Sequence, residues 1–303
     1  MIRTERLTKK YGNFYAVKDV SLHVKQGEIY GFLGLNGAGK TTTLEMLLGL
    51  TRPTSGQAYC LNTPVTLNNF QLWEQVGYLL DAPYAYPELT VRENLSIFAK
   101  LRRLTGSKRI EQVIETLNLQ PYADKKARQL SLGNRIRLSL ARALLHEPKI
   151  LILDEPVNGL DPAGMIDIRE LLKDLAFNHG VTILMSSHLL DEVAKIATTI
   201  GIIHKGCLIE EIPAKTLKEQ LREQLVIKIP DHIFAYRLLR VKGIETEILE
   251  ANTLITKERA VIDQPEKIAE IFVKHKIPLK HLSVEKETLE DYFLRKIKVS
   301  ETK

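Results

Sequence analysis

Eight residues near the start of the chain, Gly34-Leu35-Asn36-Gly37-Ala38-Gly39-Lys40-Thr41, constrain its fold more than any other stretch. They satisfy every fixed position of G-x-x-x-x-G-K-[ST], and Thr42 and Thr43 follow. Before them, Gly27–Leu33 is a short, largely apolar run of strand length. After them, Leu44, Leu47 and Leu48 recur at i, i+3 and i+4, as on a helix that Gly49 ends. Strand, glycine loop and helix form the context in which such a pattern has physical meaning. Glycines let several backbone N–H groups converge on one anion, and the helix N-terminus adds partial positive charge. Gly34, Asn36, Gly37, Ala38, Gly39, Lys40, Thr41 and Thr42 are therefore the expected polyphosphate cradle. Lys40 would reach the β- and γ-phosphates, and the Thr41 hydroxyl would ligate Mg²⁺. A glycine-rich turn with an incidental lysine is the plainer alternative, and both flanks argue against it.

A second stretch completes the chemistry. Ile150-Leu151-Ile152-Leu153 is a continuous aliphatic run, as a buried parallel strand requires, and it ends in Asp154-Glu155. Carboxylates at the carboxyl end of such a strand lie where open α/β sheets bind ligands. Asp154 suits Mg²⁺, directly or through water, and Glu155 suits a base that positions an attacking water. Val181–Met185 reads as another buried strand, followed by Ser186-Ser187-His188. His188, at the ligand-facing end of that strand, is expected to contact phosphate.

The remaining segments fit around these two. Residues 2–33 hold short apolar runs, and Val20–Val24 alternates like a half-buried strand. Tyr11, beside Gly12 in a polar segment, reads alone as an ordinary surface or core tyrosine. Residues 57–80 read as β structure with a short helix, and 81–87, with two prolines and two tyrosines, as a loop. Thr90 with Glu93 forms a capping box, and the chain from there to about residue 146 reads helical, as a subdomain over about 87–146. Within it, Ser131 and Gly133 begin a basic helix and offer either a second anion site or an ordinary N-cap. Asn158-Gly159-Leu160-Asp161-Pro162 is a turn into a helix carrying Met165, Ile168, Leu171, Leu172 and Leu175 on one face. Residues 200–209 read as a hairpin.

Past Pro213 the chain changes character. Residues 214–224 are mostly polar, a helical linker, and the boundary is set at 220/221. Residues 221–303 read β-α-β-β-α-β, a ferredoxin-like order, with the third strand starting near Thr253 or spanning Arg259–Ile262 and a last helix at Thr288–Lys298.

Composition excludes some partners. The net charge of +6 is dilute: residues 1–220 carry 27 Lys and Arg against 23 Asp and Glu, and residues 221–303 carry 16 against 14. A nucleic-acid binder concentrates its charge, so no nucleic acid is expected. No apolar run approaches the ~18 residues a membrane helix needs. Cys60 and Cys207 match no metal or redox spacing, and a reducing compartment is expected.

Taken together and in order, residues 1–220 resemble the ATP-binding cassette (ABC) family along their whole length. The glycine loop and Asp154-Glu155 look like its Walker A and B motifs, Leu130-Ser131-Leu132-Gly133-Asn134 resembles its signature, Asn158–Asp161 is similar to its D-loop, and His188 falls at its switch histidine. Tyr11 matches the aromatic that stacks on adenine, overturning its isolated reading. The resemblance implies an α/β P-loop NTPase with a mostly parallel core sheet, an N-terminal antiparallel β subdomain and a helical insert, followed by a small α+β domain. It implies ATP and Mg²⁺ as cofactors, with Lys40, Glu155 and His188 catalytic. It implies a homodimer or heterodimer of cassettes, in which Ser131 and Gly133 complete a partner's phosphate site, and it places Asp161 among the nucleotide-binding residues. A separately encoded membrane permease would hold the chain on the inner face of the cell membrane, as a cytoplasmic peripheral protein. One cassette per chain with a C-terminal extension looks most like bacterial exporters of drugs or antimicrobial peptides, including lantibiotic and bacitracin systems. Soluble cassettes acting on nucleic acid or ribosomes, and regulatory cassettes, are the alternatives.

Three residues depart from the family pattern. Leu132 stands where many members have Gly, and Asn134 where they have Gln. Asp81 stands at the usual Q-loop glutamine. A carboxylate can bind Mg²⁺ but offers no amide donor, so Asp81 is expected in the metal or water shell.

Overall fold

The computed structural model describes residues 1–66, 68–80, 84–250 and 252–301. The chain divides into two compact units, Met1–Lys215 and Thr216–Lys303.

The first unit opens with β1 (Ile2–Tyr11), β2 (Phe14–Val20) and the short β3 (His23–Val24), all paired antiparallel to or through β1. β4 (Ile29–Leu33) then leads through the glycine loop into α1 (Lys40–Leu47), and Gly49, at a φ of 70°, turns the chain out of that helix. β5 (Ser55–Cys60) and β6 (Thr63–Pro64) return to the first sheet, whose order is β2-β1-β5-β6. α2 (Phe70–Trp73) and β7 (Val76–Leu79) follow, then the helical segment: α3 (Val91–Leu101), α4 (Lys108–Thr116) and α5 (Leu132–Leu144).

β8 (Ile150–Asp154), α6 (Pro162–Phe177), β9 (Thr182–Ser187), α7 (Leu190–Ala194), β10 (Thr199–His204) and β11 (Cys207–Pro213) complete the unit. The second sheet runs β11-β10-β4-β9-β8-β7, parallel throughout except for the β10–β11 hairpin. Every residue of β4, β8 and β9 is buried, as strands covered on both faces must be. One core joins both sheets through α1, with Ile2, Val17, Tyr30, Phe32, Leu44, Leu47 and Ile152 all fully buried.

Register positions the chemistry. In the parallel ladder Leu33 lies opposite Ser187, and Asp154 opposite Ser186. The glycine loop, Asp154-Glu155 and His188 therefore leave the sheet at one edge, the carboxyl ends of β4, β8 and β9.

The second unit follows from α8 (Ala214–Gln220), inside which the division falls. β12 (Glu223–Lys228), α9 (His232–Val241), β13 (Glu247–Glu250), β14 (Thr253–Thr256), α10 (Arg259–Ile262), α11 (Glu266–Lys274), β15 (His281–Lys286) and α12 (Leu289–Glu301) succeed one another. Its sheet, ordered β13-β14-β12-β15, is antiparallel throughout. Leu225, Ile227, Ala235, Leu239, Leu254, Ile268 and Phe272 form its core. Of the two placements expected for the third strand, Thr253–Thr256 is found and Arg259–Ile262 is a helical turn. Asn252, at a φ of 69°, turns the hairpin immediately before Thr253. The Arg259–Asp263 pair, one helical turn apart at 3.0 Å, suits α10 instead.

Candidate functional site

α1 begins without a side-chain cap. Its N-cap is Gly39, at a φ of 105°, and no carboxylate stands in its first turn. The backbone N–H groups of that turn are thus left for an external acceptor. Gly39 cannot be exchanged for a residue with a side chain: a Cβ there would lie 2.4 Å from the Ala16 carbonyl oxygen. At Gly34 it would lie 2.6 Å from the Ile203 carbonyl oxygen. The β10–β11 turn braces the loop as well, with Gly206 N–H donating to Ala38 O at 2.9 Å and Lys18 N–H to Gly206 O at 2.8 Å. Asn36 and Gly37 are exposed at the crest, and Ala38 is buried.

Lys40 is 6% exposed. Its ammonium donates to Gly34 O at 2.7 Å and Leu35 O at 3.3 Å and lies 3.5 Å from Glu155 Oε1. Thr41 Oγ1 donates to Asp154 Oδ2 at 2.7 Å, and the Ser186 hydroxyl donates to Asp154 Oδ1. Glu155 Oε2 accepts from Ser187 Oγ at 3.3 Å and faces His188 Nδ1 at 2.9 Å. The structure thus gathers Lys40, Thr41, Asp154, Glu155 and His188 beside the uncapped helix through hydrogen bonds and the Lys40–Glu155 ion pair.

This cluster fits a magnesium-bound triphosphate. A buried cation, free helical N–H groups and two glycines that a Cβ would foul are what a phosphate chain needs. Among the described residues no group of three or more His, Cys, Asp or Glu could hold a metal by itself. Thr41 and Asp154 offer oxygen donors beside the cradle. Mg²⁺ bound chiefly by phosphates and waters needs no more.

Other expected site residues stand apart from the cluster. Tyr11 ends β1, half exposed, with the Lys9 ammonium 4.9 Å from its ring centre. It belongs to the same hairpin as Ala16, whose carbonyl abuts Gly39. Ser131 caps α5, accepting from Asn134 N–H at 3.3 Å. Asp161 caps α6, accepting from Gly164 N–H at 3.1 Å. Among the described residues neither cap hydrogen-bonds to Lys40 or Glu155. Leu132 rests on Gly159, where a Cβ would meet Leu132 Cδ2 at 2.5 Å, and Gly133 faces Leu160. Asp81 lies outside the described residues.

Sequence reasoning gave Ser186 and Ser187 no role. Two hydroxyls closing a buried, mostly apolar strand were the available signal.

The family model for ABC transporter proteins matches residues 17–158. The chain is 40% identical over 297 residues to the bacitracin transport ATP-binding protein BcrA of Bacillus licheniformis, spanning 98% of this chain and 97% of that protein. It is 38% identical over 300 residues to BcrA of Enterococcus faecalis, spanning 98% and 96%. Among solved structures it resembles the dimeric ATP-binding cassette MJ0796 in a post-hydrolysis state bound to ADP and phosphate. That match has a TM-score of 0.63 and 29% identity and covers 71% of this chain and 99% of that one.

Proposed function

Since the chain belongs to the ABC transporter family and is an ATP-binding, ATP-hydrolysing subunit of the exporter type, we propose that it powers a separately encoded membrane permease. Its cargo is a drug or a peptide antibiotic of the bacitracin kind. Near full-length likeness to two bacitracin transport proteins supports that cargo class. No helix of the described residues is long and apolar enough to cross a membrane, which supports a permease on another polypeptide. The chain then works at the inner face of the membrane, and the tyrosine-rich segment around Tyr84 and Tyr86 beside α3 suits a permease contact.

The observation that carries the reading is the Lys40–Glu155–His188 and Thr41–Asp154 cluster beside the uncapped α1. Glu155 orients and deprotonates the attacking water, and Lys40 and His188 hold the γ-phosphate oxygens as charge develops on them. Mg²⁺, held through Thr41 and Asp154, supplies charge neutralisation on the phosphates. Tyr11 takes the adenine face. Ser131, Gly133 and Asp161 complete the site of a second cassette, identical or not. The dimeric state of MJ0796 supports that pairing. Asp81 joins the metal or water shell; unchanged Mg²⁺ dependence and ATPase rate in Asp81→Asn would remove it.

The order β13-β14-β12-β15, with α9 and α11 as crossovers, supports a ferredoxin-like second unit. The deciding experiment is Glu155→Gln. We expect it to bind ATP as the parent does and to lose turnover by at least about a hundredfold. Turnover within twofold of the parent refutes the assignment of Glu155.

A further inference from the structure

Glu155 adopts an unusual backbone conformation, with φ at 49°. A non-glycine residue is strained there, so the surroundings must over-determine it. Its N–H donates to the Ser186 hydroxyl at 3.2 Å and shares the Ser186 carbonyl at 3.2 Å. The same hydroxyl donates its only proton to Asp154 Oδ1, while Asp154 Oδ2 takes the Thr41 hydroxyl. Ser186 is fully buried, and its register partner across the ladder is Asp154. One atom therefore ties the metal-side carboxylate to the backbone that aims the adjacent base.

We propose that Ser186 is a positioning residue for ATP hydrolysis, setting the relative placement of Asp154 and Glu155. The inference rests on the catalytic assignment of those two carboxylates. A hydroxyl has one proton to give and two lone pairs to accept with, so Ser186 can serve both groups at once. Without it Asp154 keeps the Thr41 hydroxyl but loses the second donor that fixes the carboxylate plane. Glu155 keeps the carbonyl contact but loses the link that makes its pose depend on Asp154. Alanine removes both functions with little change in volume, whereas threonine retains the hydroxyl.

The test uses the full chain with Ser186→Ala, Ser186→Thr and Glu155→Gln in one series. It reads ATPase kinetics, a Mg²⁺ titration of mant-ATP binding, and mant-ATP binding without metal. Loss of an orienting partner typically costs 10–100-fold, so Ser186→Ala should lower kcat by about tenfold or more. KM for ATP should stay within about twofold, and the Mg²⁺ concentration for half-maximal binding should rise severalfold. Metal-free mant-ATP affinity should be unchanged, which also reports an intact fold, and Ser186→Thr should recover most of kcat. The proposal is overturned if Ser186→Ala keeps kcat within twofold, if its Mg²⁺ requirement is unmoved, if metal-free binding falls equally, or if threonine does no better than alanine. A normal Ser186→Ala beside an inert Glu155→Gln removes only Ser186. A normal Glu155→Gln removes the carboxylate reading itself.

Discussion

His146 shows how a single side chain can carry a pH dependence unrelated to catalysis. Its ring is largely buried, with Nε2 3.1 Å from Val76 O and no partner for Nδ1 among the described residues. Burial, then the nearby Arg102 and Arg109 charges, pushes its pKa down to about 4 from an ordinary 6.5. The neutral ring is thus the native form, with Nε2 carrying the proton. Its contribution to stability is complete above about pH 6.5 and is lost as pH falls towards 4, because the unfolded chain takes up the proton first. The slope is at most about 1.4 kcal/mol per pH unit, and less for a ring that water still reaches. Denaturant unfolding at pH 7.5 and pH 5 should therefore show a smaller acid loss for His146→Phe than for the parent. Equal losses would contradict the assignment. Nothing in the sequence announces this, since burial of a lone histidine is a property of the packed fold. The gathering of Lys40, Thr41, Asp154 and Glu155 was readable because phosphate binding demands residue types at fixed spacing. The two serines of β9 were not, because a hydroxyl in a strand has many structural uses.

At the scale of elements, local chemistry and long-range packing separate cleanly. The capping box of α3 was written in four residues and forms as expected: Thr90 Oγ1 accepts from Glu93 N–H at 3.1 Å, and Glu93 Oε2 from Thr90 N–H at 2.8 Å. Thr90→Ala should lower unfolding stability by about 1 kcal/mol in denaturant melts, with ATP binding intact; no change would show the helix end held by other contacts. α6 is less simple. Its spacing suggested a stripe of Met165, Ile168, Leu171, Leu172 and Leu175, but the fully buried line is Gly164, Ile168, Leu172 and Ala176. At Gly164 a Cβ would meet the cap itself, 2.7 Å from Asp161 Oδ1, and bulk apolarity does not reveal that. β8 was readable as a buried parallel strand from an unbroken aliphatic run, and β9 from an apolar run interrupted at Thr182. Their order beside β4, with β9 next to it and β8 beyond, was not, since it depends on contacts far apart in sequence.

Across the whole molecule, the residues that the family pattern groups in one site are brought together only in part among the described residues. Lys40, Thr41, Asp154, Glu155 and His188 are gathered at one sheet edge, while Ser131 caps α5. The Leu132–Gly159 and Gly133–Leu160 contacts tie that cap to the turn that follows Glu155. Such a layout makes sense when a second cassette supplies the missing face. The second unit's alternation of strands and helices was readable, and its third strand was placed only once the Asn252 turn was seen. The most direct test of the composite site pairs two inactive variants, Glu155→Gln and Ser131→Arg, co-expressed with different tags and purified as the mixed dimer. One site of that dimer carries both defects and the other carries neither, so ATP turnover should return to roughly half the parent rate, given no coupling between sites. A mixed dimer as inert as its parents, or a Ser131→Arg protein that hydrolyses ATP normally by itself, would contradict a centre completed by a second copy.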